Sequence, residues 1–477
     1  MRGTGAKLKE VPGECLENVV LAGPFDPATI ALSMEGDAAG ELSASGGSPS
    51  LDTCSRFSEI EGETSYESET MSAARLDFCG DIVLAGHFAP ADLAPLLGDE
   101  SGAVLSRYNG PPGIPIHDLA RGFSRLGVRS TVIGGMRNGP DLHLKSYPLS
   151  AALYNRRNGA AFVLDGWSRE RRTILKLLQA IQPSIVHAHW TLESARAVAD
   201  WDGPKVLTVH DAAYECARLG WSWDPRSVAF TLRHLANTSA VLSRFRHVVA
   251  VSPFVETYLR LRHHFRGEIR VIPNAIPPLA PTVRIPESFP KTHSLTFGCY
   301  GGPGRLKNVG TAIEAFLRIG KDLPTSRLLV FGTGWEQIKN RYSGSRIEFR
   351  GLLSHQDFLT YLASEVDIWV HPSRIEAHPI TICEAIQAGC PVIAGRCSGG
   401  VAWTLDYGRA GVLVDIENPD DIAAAMLSLV QDRQRANSLV SYGRQMIQER
   451  FSPERVIDMH LRFYEEVIDQ WKPCSKN

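Results

Sequence analysis

From Asp81 onward one pattern governs the chain. DIVLAG, VRSTVIGG, PSIVHAHW, PKVLTVHD and RHVVAVS are short apolar runs of the kind buried on both faces of a parallel sheet. Between them lie IPIHDLARGFSRLG, RTILKLLQAI, LESARAVADW and FVETYLRLRHHF, with apolar residues at helical spacing. Strands alternating with helices predict βαβ units and a doubly wound α/β domain over residues 79–280. The rhythm then breaks at IPNAIPPLAPTVRIPESFP, which holds six prolines between Pro273 and Pro290 and reads as a linker. It resumes with LTFGCYGG, KNVGTAIEAFLRIG, RLLVFGTG, RIEFRGLL, VDIWVHPS, PITICEAIQAG, PVIAG and GVLVD, a second such domain over 281–455. Residues 456–477 predict a final helix packing back toward the first domain, with Ser452 as its cap and Pro453 in its first turn. Ligands of open α/β sheets bind outside the carboxyl ends of the strands, so the chemistry belongs on the loops facing the cleft between the two domains.

Residues 1–78 stand apart. SMEGDAAGELSASGGSPS and SEIEGETSYESET are Ser/Gly/Glu-rich and hold few large apolar groups, so this acidic extension is expected to be largely disordered. It carries VLAGPFDPA at 20–28, matching VLAGHFAPA at 83–91 in seven of nine positions. Only the second copy is followed by the loop, helix and strand of a domain. The first reads as a surplus strand-like segment that could add to a sheet edge.

The net charge of −2 hides a division, −9 over residues 1–80, +7 over 81–280 and zero thereafter. A basic middle section suggests an anionic partner, a membrane surface, a phosphorylated lipid or a nucleic acid; the bland reading is an ordinary solvated surface with an arginine bias, which composition alone does not exclude. Composition fits a globular protein, with no apolar run of membrane-spanning length and no leader pattern. Nine cysteines without paired spacing predict reduced, buried thiols and no zinc site.

The most informative stretch is RIEAHPITICEAIQAGCPVIAG, residues 374–395. Glu376 sits on the loop after a strand, and Glu384 lies in the first turns of the following helix. Unpaired N–H groups at a helix start suit a diphosphate, and carboxylates there can accept hydrogen bonds from sugar hydroxyls. Alone, the two glutamates would be better explained as a dipole partner and a solvated loop residue. In context, with Glu384–Ala385 and Gly389–Cys390–Pro391–Val392 after it and Asp367, Pro372 and Ser373 before it, the stretch resembles the retaining nucleotide-sugar glycosyltransferases of family 4 (glycosyl transferases group 1), of GT-B fold. The resemblance runs from about residue 81 onward.

It implies that Glu384 binds the nucleotide ribose and that Glu376 lies near the donor sugar. The backbone of His378, Pro379, Ile380 and Thr381 would line sugar and diphosphate, with Pro379 removing one N–H donor. In YGGPGRLKNVGTAIEAF, glycines and cations fit a leaving diphosphate. There Lys307 matches the family's lysine, and Arg305 is the candidate for its arginine, since Gly302 stands at the usual place. A tight structural turn or a partial dinucleotide fingerprint would also account for the glycines. Gly301, Gly302, Gly332, Gly351 and Leu353 complete the implied donor surface. His210 matches a family position facing donor sugar and acceptor, while His187 and His189 are more often structural. Gly110 or Gly113, in NGPPGIPIHDLARGF, would form the loop near diphosphate and acceptor, or an ordinary turn. Ala402–Trp403 replaces the family's Pro-Glu, with packing or stacking as its only physical explanation.

The expected activity is transfer of a sugar from a nucleotide diphosphate sugar to an acceptor hydroxyl in bacterial polysaccharide or glycolipid assembly. No cofactor and no metal are expected. Partners would be the nucleotide sugar, a hydroxyl acceptor such as a lipid-linked oligosaccharide, and an anionic membrane surface, but no nucleic acid. The expected place is the cytoplasm, with a peripheral position at the inner membrane face. Three alternatives stay open, namely a non-catalytic sugar-nucleotide-binding scaffold, a sugar-nucleotide epimerase on the same fold, and a metal hydrolase built on His187 and His189.

Overall fold

In the computed structural model the described residues are 78, 80–108, 113–137, 139, 141–157, 165–219, 225–281, 283–285 and 291–471. Residues 1–77 of the extension, with the 20–28 segment, and Gly110 lie outside them.

The first sheet has eight strands. These are β1 Ile82–Ala85, β2 Ser130–Arg137, β3 Leu142–Leu144, β4 Leu149–Arg156, β5 Ile185–His189, β6 Lys205–Val209, β7 His247–Ala250 and β8 Glu268–Val271, in the order β3-β4-β2-β1-β5-β6-β7-β8. All neighbours pair parallel except β3, the edge strand, which runs antiparallel along β4. The apolar runs are buried because helices cover both faces. Leu84, Val132 and Ile185 join a core on one side, and Val83, Ile133 and Val186 one on the other. Strands β3 and β4 were not anticipated, since LHLKSYPLSAALYNR carries no clear turn signal.

The second sheet has six parallel strands, β9 Thr296–Tyr300, β10 Arg327–Phe331, β11 Ile347–Gly351, β12 Ile368–His371, β13 Val392–Gly395 and β14 Val412–Val414, in the order β11-β10-β9-β12-β13-β14. This is the doubly wound 3-2-1-4-5-6 order, whose direction reverses between β9 and β12. The expected pair of Rossmann-like domains is therefore present. Sequence and structure place the strands within two or three residues of one another.

The helix Pro453–Gln470 returns to the first domain. Val456, Ile457, Leu461, Phe463, Tyr464 and Val467 all join its core. Gly122, on helix Ile114–Arg125, has no side chain because Ile457 occupies that space; a Cβ there would overlap Ile457 Cδ1 and lie 2.7 Å from Cγ1. Tyr464 Oη is 2.6 Å from His187 Nδ1, and Arg270 pairs with Glu466 at 2.5 Å. Ser452 does stand at the helix start, but its side chain caps nothing; only its carbonyl accepts, from Val456 N at 3.0 Å. The chain thus crosses between domains twice, and the crossings are tied by Ile276 N donating to Phe451 O at 2.8 Å.

Cys216, Cys299, Cys383 and Cys390 are free thiols. Cys397 is disulfide-bonded, against the expectation of reduced thiols throughout. Among the described residues no helix is long and apolar enough to cross a membrane.

Candidate active site

The second domain's site forms where the strand order reverses, on the loops after β9 and β12. At the end of β9 the chain turns through Gly301 at φ +143°, where a Cβ would come within 2.6 Å of Lys307 Cβ. Gly332, after β10, lies against the Gly301 backbone, so a Cβ there would meet it at 3.1 Å. Gly332 N donates to Gly351 O at 2.8 Å, and Trp335 Nε1 donates to Gly301 O at 2.9 Å. Gly301, Gly332 and Gly351 thus form one surface across three strand ends, with Gly302 buried beside it and Leu353 packed on the core beneath.

Lys307 crosses from this surface to the loop after β12. Its Nζ lies 2.8 Å from Glu376 Oε1, with the two side chains 25% and 17% exposed. His371, at the end of β12, adds its Nε2 at 3.2 Å from the same oxygen. Burial alone would raise the Glu376 carboxyl, but the Lys307 ammonium and the His371 contact outweigh it and hold the group well below the usual carboxylate range. The glutamate loop is further fixed by Gly400 N donating to Glu376 O at 2.8 Å.

Arg305 does not join this pair. Its side chain is exposed, and its carbonyl accepts from the Arg374 guanidinium. Arg374 also forks onto both carboxylate oxygens of Glu417 at 2.6 Å, so it clamps the Arg305 loop to the glutamate loop. Nothing in the family pattern singled out Arg374 or His371. Their signal was position alone, one on each side of PS in WVHPSR.

Glu384 lies buried on helix Ile380–Gln387. His355 Nε2 reaches its Oε1 at 2.6 Å, and that contact raises the His355 pKa above the ordinary imidazole value. Pro379 stands at the helix start without a side-chain cap, followed by half-buried Ile380 and Thr381. Across the cleft Asp118, on helix Ile114–Arg125, faces this pair. Burial pushes its carboxyl up to about 7, the charge of Glu384 adding and those of Arg121 and His355 opposing. Its Oδ2 is buried without a hydrogen-bond partner. Asp118 was missed because a single aspartate in an amphipathic helix carries no sequence signal.

In the first domain His210 follows β6. Its Nε2 is 2.9 Å from His189 Nδ1, and the two rings stack 18° from parallel. Trp190 also packs on this ring, with centroids 4.6 Å apart. Burial, then the neighbouring His460, lowers the His210 pKa to about 3, the polar side chain of Asn274 opposing. His187 is spent on Tyr464 and on Thr208, whose Oγ1 is 2.6 Å from its Nε2. Among the described residues no group of three or more His, Cys, Asp or Glu is arranged to hold a metal ion. Gly113 caps helix Ile114–Arg125, and a Cβ there would collide with the His87 carbonyl and sit 2.8 Å from Phe88 Cα.

His378 turns its ring inward, away from the loop surface. Asn274 N donates to His378 Nδ1 at 3.1 Å, and the ring packs on Phe451 and Trp403 with centroids 4.7 and 5.6 Å away. Trp403 therefore packs at the second crossing, with the Arg450 guanidinium 4.8 Å above it. The loop bearing Glu376 meets the first domain here, where Ile375 and Ala377 pack with Phe254 against its core.

Two family models match the chain, Glycosyltransferase Family 4 over residues 115–278 and Glycosyl transferases group 1 over residues 294–432. Among curated relatives, N-acetyl-alpha-D-glucosaminyl L-malate synthase of Bacillus anthracis is 24% identical over 34% of this chain and 43% of its own length. Lipopolysaccharide core biosynthesis glycosyltransferase LpsE of Rhizobium meliloti is 30% identical over 33% of this chain and 45% of its own. Poly(glycerol-phosphate) alpha-glucosyltransferase of Bacillus subtilis is 25% identical over 27% and 19%. The chain thus spans less than half the length of these relatives. Among solved structures, sucrose-phosphate synthase from Thermosynechococcus elongatus superposes with a TM-score of 0.62 at 19% identity, over 82% of this chain and all of that one. HepE of Anabaena, in complex with UDP and glucose, gives 0.56 at 16% identity over 81% of this chain and all of its own.

Proposed function

The chain belongs to the glycosyl transferases group 1, and from that premise we propose that it transfers a sugar from a nucleotide diphosphate sugar to an acceptor hydroxyl, retaining the anomeric configuration. One observation carries the reading. The Lys307–Glu376 ion pair lies on the loops where the strand order of the second sheet reverses, the location at which open α/β sheets bind ligands.

The costly event is departure of the diphosphate as charge develops on the sugar ring. Lys307 meets the leaving charge, helped by the free N–H groups at the start of helix Ile380–Gln387. Glu384 binds the ribose hydroxyls, and Glu376 orients the lysine and borders the sugar. Arg305, exposed at the rim, reaches the diphosphate only when donor and domains close over it. His210, lowered to about 3, is a neutral ring at pH 7 and contributes a hydrogen bond to the sugar rather than a positive charge. The acceptor attacks on the face the diphosphate leaves, and a diphosphate oxygen takes its proton. We read this chemistry as metal-independent, because a lysine and helix-start amides supply the stabilising charge.

The relatives' names, covering lipopolysaccharide core and poly(glycerol-phosphate) glycosylation, support an acceptor in bacterial glycoconjugate assembly. The +7 balance over residues 81–280 supports an anionic, membrane-borne one, met from the cytoplasmic side. The test is a panel of nucleotide sugars with a lipid extract, with and without chelator, following nucleoside diphosphate release and the anomeric configuration of product. Release from one donor, accelerated by acceptor and indifferent to chelator, is expected. Tight donor binding without turnover on any acceptor refutes transfer. Equal flotation with neutral and anionic liposomes at low salt refutes the membrane preference.

A further inference from the structure

The turn that carries Lys307 has little stiffness of its own. Gly301, Gly302, Pro303 and Gly304 lead into it, and glycines accept many backbone conformations. Its firmness comes from grips on either side of the lysine. On one side Arg374 N donates to Leu306 O at 2.9 Å, and the Arg374 guanidinium donates to Arg305 O. On the other, Asn308 is buried at a left-handed φ of +51°. Its Nδ2 donates to Ile416 O at 2.9 Å, and its Oδ1 accepts from Thr311 Oγ1 at 2.7 Å. Both grips end on the loop after β14. Nε and Nη2 of Arg374 fork onto the two carboxylate oxygens of Glu417, each at 2.6 Å. Glu417 N donates to Asp415 Oδ1 at 2.9 Å, and Asn418 caps the following helix Pro419–Gln431, so this corner is a fixed post.

Arg374 also stands two residues before Glu376. One residue therefore holds Leu306, next to Lys307, and leads directly to the carboxylate that Lys307 Nζ meets at 2.8 Å. A lysine ammonium rides on a flexible four-carbon stem, so its place is set only as well as its Cα is held. Releasing Arg374 would free the turn and the glutamate loop to move relative to each other. We infer that Arg374 is a positioning residue: anchored on Glu417 and opposed by Asn308, it fixes the turn so that the Lys307 ammonium stands at one place beside Glu376. This rests on the reading of Lys307 as the group that meets the leaving diphosphate, and it extends the chemistry to two residues, Arg374 and Glu417, that act on the lysine only through its backbone.

The test labels the full chain with limiting acetic anhydride and reads each lysine by mass spectrometry. Exposed Lys321 is the reference. Lys291, whose Nζ donates to Leu362 O and Ala388 O at 2.9 Å, reports any loss of the domain's fold. Glu376→Gln sets the labelling rate of Lys307 without its carboxylate. Arg374→Ala raises Lys307 labelling about fivefold toward that rate and leaves Lys291 unchanged, since an ammonium that loses its carboxylate gives up its proton more readily. Glu417→Ala acts through Arg374, so it also raises Lys307 labelling and adds nothing to Arg374→Ala. With a turned-over donor, Arg374→Ala lowers kcat about tenfold and leaves the donor KM within about twofold, because placement rather than binding is lost. Unchanged Lys307 labelling in Arg374→Ala, Lys291 labelling that rises with it, an additive double variant, or a raised KM with unchanged kcat overturns the inference. Labelling is read without turnover, so a chain that labels as expected and transfers nothing loses the transfer reading alone.

Discussion

Replacing Lys307 by Met separates what its ion pair does for the fold from what it does for chemistry. At 2.8 Å and an effective dielectric of about 20 the gross attraction to Glu376 is about 6 kcal/mol, of which desolvation of the two ions cancels several. Removing one partner of a fully buried pair costs about 3–5 kcal/mol. Here Glu376 keeps the His371 contact and its side chain is 17% exposed, so about 2 kcal/mol is expected, read as a lower urea midpoint. Glu376→Gln in the same background removes the stranded charge, and the double variant recovers at least half of the loss. Activity does not follow. Stripping a preorganised charge from a leaving group costs about 10²–10³ in kcat, and the double variant stays as slow as the single one. The pH dependence has a definite sign. A folded-state pKa held below its unfolded value stabilises above the unfolded pKa, near 4.3, and that contribution drains away as pH falls toward the lower folded value. Wild type should therefore lose stability below about pH 4.5 more steeply than the double variant. Additive effects on the urea midpoint, or near-normal turnover in Lys307→Met, would refute the reasoning.

Tyr464→Phe strands buried His187 Nδ1 and should lower stability by about 1–2 kcal/mol in urea unfolding, with no change in nucleoside diphosphate affinity. Gly122→Ala drives a methyl into Ile457 and should cost about 1–3 kcal/mol; adding Ile457→Ala should return part of it, so that the double variant is more stable than the sum of the singles. Glu384→Gln should weaken nucleoside diphosphate binding about tenfold in titration calorimetry, the effect of losing about one charge-assisted hydrogen bond. In the same variant the elevated pKa of His355 should fall back toward the ordinary imidazole value by NMR, since the Glu384 contact is its first cause.

The strands of both sheets were readable because parallel strands covered on two faces leave unbroken apolar runs such as IVLA and IWVH. The glutamate loop was readable only through its resemblance to a family motif, since Glu376 and Glu384 alone would pass for a loop residue and a helix-dipole partner. What depends on partners distant in the chain was not. Asp118, His355 and Glu384 converge from three separate elements, and none of the spacings between them is periodic. Trp403 looked like a departure from a pattern; its packing on Phe451, with the His378 ring beside it, shows it serving the second crossing. Ser452 shows the reverse error, a good cap residue at a helix start whose hydroxyl is not used.

The returning helix bears on the order in which the molecule is made. His187 and Tyr464 touch although 277 positions apart, and the terminal helix supplies several of the largest groups in the first domain's core. A nascent chain that has released residues 79–280 still lacks that wall, so an apolar face stays uncovered while the entire second domain is synthesised. The domain that emerges first is thus completed last, and a ribosome-bound intermediate with residues 79–280 exposed should be the state that chaperones meet.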